Sequence, residues 1–154
     1  MPYATLRQFL NGQKNKSQIV TLSLMIYIFY DKVNMSWTVE LHAEFAEEFK
    51  NFSDEVQDKI YADVLMLETF GYTLGRPKVD TLKASQHSNM KELRFDANDG
   101  VWRVAFAFDT ERKAILLVAG DKSGTSEKRF YKQLIKKADE RFTNHLQSLK
   151  EKKK

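Results

Sequence analysis

Between Met90 and Gly120 three short runs alternate apolar and polar side chains, with turn-forming residues between them. Strands are expected near residues 90–96, 101–109 and 113–120. Asn98-Asp99-Gly100 supplies turn chemistry between the first two, and Asp109-Thr110-Glu111-Arg112 between the second and third. Consecutive strands joined this closely run antiparallel, so this stretch constrains the middle of a sheet before the rest of the chain is considered.

The same residues specify register. On the first strand Leu93 and Phe95 are odd-numbered, and on the second Trp102, Val104, Phe106 and Phe108 are even-numbered. Side chains alternate across a strand, so both apolar sets face one core only if paired positions sum to an odd number. The short turn then pairs Phe95 with Trp102 and sets Arg94 opposite Arg103 on the other face, beside Met90, Glu92, Ala105 and Ala107. Two adjacent guanidiniums repel unless something anionic joins them. Two readings stay open. Either Glu92 completes a surface Arg–Glu cluster of little energetic weight, or the arginines form a forked seat for a phosphate above a shallow alanine floor.

Around this hairpin the chain reads as further short elements. "SWTVEL" alternates like a strand, and "AEFAEEFKNF" is a short amphipathic helix. Ser53 is placed to cap a second helix, with Asp54 and Glu55 in its first turn and Val56, Ile60, Val64 and Leu67 at helical spacing. Gly71 stops it, and residues 71–85 are expected to be loop. A long helix from about Glu127 to Leu149 carries Phe130, Leu134, Ala138, Phe142, Leu146 and Leu149 on one stripe. The order β-α-α-β-β-β-α argues an α+β domain, an antiparallel sheet with helices packed on it.

The 154 residues suit one domain with a real core. There is no cysteine, which excludes disulfides, thiolate metal sites and cysteine nucleophiles, and fits a cytoplasmic protein. Residues 1–34 read as an N-terminal extension, 35–149 as the domain, and 150–154 as a lysine-rich tail. The extension's apolar run, Ile19 to Tyr30, is shorter than the ~20 residues a membrane span needs. "DKVN" follows where a signal peptide would place small residues, so neither secretion nor membrane residence is expected. Residues 40–68 are acidic and those from Lys128 onward strongly basic. That asymmetry describes two solvated helix faces of opposite sign, or separate surfaces for a polyanion and a second partner.

More positive groups can converge on the arginine pair. Lys122 follows the third strand in "AGDKSG", and Lys128, Tyr131 and Lys132 occupy the first turns of the last helix. Tyr131 reads as a base-stacking or proton-transfer group, or as an ordinary half-buried aromatic. His87 in "SQHSN" titrates in a useful range but also fits a solvated loop, and Lys83 and Lys91 add charge that would steer a polyanion. His42, His87 and His145 share no ligand spacing, and no phosphate-binding glycine motif occurs, so no metal or cofactor is expected.

The pieces "GYTLGRPKVDTLKAS", "MKELRF", "GVWRVAFAFD", "ILLVAGDKSG" and "RFYKQLIKKADERF", in this order over residues 36–147, resemble the RelE/ParE superfamily of toxins, in its phage-derived HigB-like branch. The resemblance implies a compact α+β domain with helices on one side of a small antiparallel sheet, and a toxin of a type II toxin–antitoxin pair. It implies a metal-independent endoribonuclease that cleaves messenger RNA, usually on the ribosome, and inhibits translation. The expected antitoxin is a helix-turn-helix protein encoded next to it. By position Arg94 and Arg103 match basic residues that RNA-cleaving members set around the scissile phosphate. Lys122 matches their basic loop after the last strand, and Tyr131 an aromatic near the chain end. Lys91, Lys128, Lys132 and His87 are then candidate substrate contacts. Glu92 is expected to be a weak base, its pKa lowered by the arginines. Apart from His145, far along the last helix, the chain lacks the histidine that one subgroup carries near its C-terminal active-site end, which argues against a histidine-dependent mechanism. The ParE branch poisons DNA gyrase instead, and a catalytically silent binding module is the third alternative.

Overall fold

The computed structural model describes residues 3–5 and 37–154. Strand β1 (Tyr3–Thr5) is followed, after the undescribed segment, by β2 (Thr38–His42). Helices α1 (Ala43–Phe49) and α2 (Asp54–Phe70) come next, then a single 3-10 turn (Gly71–Thr73). The remaining elements are β3 (Val79–Thr81), β4 (Met90–Ala97), β5 (Gly100–Phe108), β6 (Lys113–Asp121) and α3 (Glu127–Lys152). The α+β class and the expected order of the main elements are as the sequence indicates. Most of the N-terminal extension, including the apolar run, lies outside the described residues.

The sheet order is β1-β2-β6-β5-β4-β3. Asn98 and Asp99 both have positive φ, the geometry that lets a two-residue turn follow the right-handed twist of a hairpin. The turn therefore pairs Phe95 with Trp102 and Arg94 with Arg103, the expected register. Ser53 caps α2 by accepting from the Val56 amide at 3.3 Å, and Gly71 ends it at φ 52°. A side chain at Gly71 would collide with the Trp37 indole.

Two features escape a reading of local pattern. Strand β2 pairs with β6 in parallel, because α1 and α2 carry the chain from β2 over one face of the sheet. The segment read as loop contains β3, a three-residue edge strand against β4. An edge this short has too few residues to show alternation.

The sheet is covered on both faces, which corrects the expected one-sided packing. Phe45 and Phe49 of α1 and Val56, Ile60, Val64 and Leu67 of α2 pack on Leu93, Phe95, Val104, Phe106 and Phe108. Helix α3 lies on the other face, where Phe130, Leu134, Ala138 and Phe142 meet Met90, Ala105, Ala107, Ile115 and Leu117. The physical reason is room: α1 and α2 already fill the first face, and the small Ala105 and Ala107 let a 26-residue amphipathic helix sit close to the second. That helix runs to Lys152, so residues 150–152, read as part of a tail, continue the helix.

Candidate active site

Even-numbered residues of β4 point toward α3, so Glu92 and Arg94 share the face on which β5 sets Arg103. The face is not open: Ala105 and Ala107 are fully covered, so the alanine floor belongs to the core under α3. What remains accessible lies at the start of α3, where Tyr131 reaches over the sheet. Gly120, paired with Arg103, makes this approach possible, since a side chain there would press on the Phe130 ring at 3.0 Å.

Tyr131 joins the two halves of the cluster. Its hydroxyl accepts from Arg103 Nε at 3.3 Å and donates to Glu92 Oε1 at 3.2 Å. Arg103 Nη1 also donates to the Trp102 carbonyl at 2.9 Å. Arg103 is thereby buried and committed, with 7% of its side chain exposed. Arg94 differs. Its Nε lies 3.8 Å from Glu92 Oε1 and its Nη1 4.0 Å from Asp80 Oδ2, both too long for hydrogen bonds. With 32% of its side chain exposed, Arg94 presents a positioned guanidinium whose donors make no hydrogen bond among the described residues.

Glu92 departs from expectation. Burial raises its pKa above the usual glutamate range, and this outweighs the lowering by the Tyr131 hydroxyl, Arg103 and Arg94. Its Oε2 is buried and has no hydrogen-bond partner among the described residues. The arginines lie too far from the carboxylate to offset its loss of water. Tyr131 is raised too, by burial first, with the Arg103 hydrogen bond opposing. The cluster thus holds a carboxylate ready to take a proton, a hydroxyl touching it, and a cation facing outward.

Lys122 stands at the rim, 5.9 Å above the Tyr131 ring and 3.2 Å from Glu127 Oε1. Lys128 and Lys132 line a groove next to Tyr131. Two residues expected near the site are elsewhere. Lys91 has the opposite strand parity and lies on the α1–α2 face, paired with Phe106. His87 contacts Thr143 Oγ1 at 2.9 Å and sets its ring edge against Phe142. Thr143 is about 18 Å along α3 from Tyr131, so His87 anchors the loop before β4 to the helix and is remote from the arginines. Asp80 was hidden because β3 was hidden. It bonds Arg76 at 2.6 Å, and that bond with the Thr81 amide holds its pKa below the usual range.

A second polar cluster is buried at the far end of α3. His145 Nε2 meets Asp109 Oδ2 at 2.8 Å, while Arg141 bonds the Leu117 carbonyl at 2.6 Å and pairs with Glu48. These contacts tie α3 to the β5–β6 turn and to α1. Among the described residues no group of three His, Cys, Asp or Glu is placed to hold a metal ion, and no helix is long and apolar enough to cross a membrane.

Comparison with known proteins matches residues 47–143 to the family described as "Phage derived protein Gp49-like". The chain belongs to this family. The matched span contains the whole Arg94–Arg103–Glu92–Tyr131 cluster and Lys122. Two Mycobacterium tuberculosis proteins are similar. "Putative toxin HigB2" is 38% identical over 114 residues, covering 73% of this chain and 56% of that protein. "Putative toxin HigB3" is 51% identical over 83 residues, covering 54% of this chain and 70% of that protein. The chain therefore spans little more than half the length of the first relative. The HigB-like branch is the one its motifs resemble. No solved structure matches the chain.

Proposed function

We propose that the chain is the toxin of a type II toxin–antitoxin pair and a cytoplasmic endoribonuclease that cleaves messenger RNA on the ribosome without a metal. The observation that carries this reading is Arg94, a partly exposed guanidinium without a hydrogen bond among the described residues, 3.8 Å from a buried carboxylate whose pKa is raised by burial. RNA supplies its own nucleophile, so the protein must move protons and stabilise charge on the phosphate.

In this reading Arg94 receives the non-bridging phosphate oxygens. The 2′-hydroxyl loses its proton to the Tyr131 oxygen as the Tyr131 proton passes to Glu92. The 2′ oxygen attacks phosphorus, the bond to the 5′ oxygen breaks, and that oxygen takes a proton from Lys122. The products are a 2′,3′-cyclic phosphate and a 5′-hydroxyl. Arg103 acts through Tyr131, holding its hydroxyl against Glu92, and is a positioning residue where the sequence suggested a phosphate contact.

A helix-turn-helix antitoxin from the adjacent gene is the proposed partner, placing acidic groups over Arg94 and Lys122. Brief expression of the wild type should arrest growth and fragment transcripts, and Arg94→Ala should do neither. Arrest with intact transcripts and failing supercoiling would instead favour a gyrase poison.

A further inference from the structure

Beside Tyr131 lies a groove of about 510 Å³ lined by Ala84, Lys128, Tyr131, Lys132, Ile135 and Lys136. Its volume is in the range of small-ligand sites. Its apolar surface comes from Ala84, the Tyr131 ring and Ile135. Its basic edge is a lysine row at i, i+4 and i+8 of α3, each step advancing about 6 Å along the helix axis. Some lysines elsewhere form ion pairs, Lys122 with Glu127, Lys113 with Glu40 and Lys78 with Asp63. Lys128, Lys132 and Lys136 have no ion-pair or hydrogen-bond partner among the described residues.

Unpaired cations spaced along a rail beside an apolar and aromatic floor are what a single nucleic-acid strand uses: the backbone follows the charge while a base lies on the floor. We propose that this groove is a flanking-nucleotide subsite, in which one unpaired base rests on Tyr131 and Ile135 and the next phosphates of the same RNA strand follow Lys132 and Lys136. The inference rests on the ribonuclease reading and extends it, since Tyr131 is shared between groove and cluster. It gives the enzyme a preference for single-stranded RNA that continues beyond the cleaved step, over a dinucleotide.

The test uses a single-stranded RNA made uncleavable by 2′-O-methylation, with a cleavable RNA strand and a dinucleotide as substrates. The double variant Lys132→Ala/Lys136→Ala should bind the methylated strand roughly tenfold more weakly, and its log–log salt slope should fall by about 1.4, near 0.7 for each lost phosphate contact. KM for the cleavable strand should rise, and the advantage of the strand over the dinucleotide in kcat/KM should shrink. Lys132→Arg/Lys136→Arg should restore binding. Unchanged affinity and slope in the alanine variant, while the wild type still cleaves, would overturn the subsite and leave the ribonuclease reading standing. Loss of grip on the antitoxin alone, with RNA binding intact, would also overturn the subsite and assign the row to an acidic protein. A wild type that neither binds nor cleaves RNA would overturn both.

Discussion

Arg94 and Arg103 pair directly across the β4–β5 hairpin, yet one side chain is a third exposed and makes no hydrogen bond among the described residues, while the other is buried and bonded to Tyr131. Strand register made them neighbours. Helix α3 made them different, because its first turns cover one guanidinium and leave the other at the rim.

Arg94→Ala is expected to lower RNA cleavage about 10²- to 10³-fold, the scale of losing one charge stabiliser, and to change stability by less than about 1 kcal/mol. Arg103→Ala is expected to cost about 3 kcal/mol, because it leaves buried Glu92 without its nearest buried cation. It should also move the acid limb of the pH–rate profile upward, since Arg103 lowers the Glu92 pKa. Chemical denaturation and a pH series measure both, and a stability loss without the pH shift would leave Arg103 merely structural.

Glu92→Gln separates catalysis from stability. The folded pKa of Glu92 lies above its unfolded value near 4.5. Its protonated form is therefore favoured by folding, and its contribution to stability is full below that value and lost as pH rises through the folded pKa. The glutamine variant should melt higher than the wild type at neutral pH, converge with it below about pH 4.5, and lose cleavage at every pH. Thermal melts across this window, run beside the cleavage assay, give the comparison.

Asp109 titrates in the opposite sense. Burial alone would raise its pKa, but the hydrogen bonds from His145 and the Lys113 and Glu111 amides prevail and hold it low. Its stabilising effect is present at neutral pH and lost as pH falls through that lowered value. Asp109→Asn should destabilise the fold at neutral pH by about 3 kcal/mol, and the difference should shrink on acidification. A difference that persists in acid would assign the cost to packing.

The hairpin pattern was enough to place Arg94 against Arg103, because parity and a two-residue turn leave one register. Alternation alone does not say which helix covers which face, and for that reason the arginine face looked open. Burial of Glu92 depends on that same helix, so its raised pKa could not be anticipated from neighbouring charges. Asp80 was obscured by a strand of three residues, and His87 by a loop whose anchor lies 56 residues away at Thr143. The groove along Lys136 was the most legible of the missed features: the lysines recur every four residues from Lys128, and the floor residues Tyr131 and Ile135 fall between them.

The chemical form of the RNA ends left by the wild-type protein tests the cluster most directly. Attack by the 2′-hydroxyl leaves a 2′,3′-cyclic phosphate on one fragment and a 5′-hydroxyl on the other, and both should vanish with Arg94→Ala. Fragments ending in 3′-hydroxyl and 5′-phosphate, or growth arrest with every transcript intact, would contradict it.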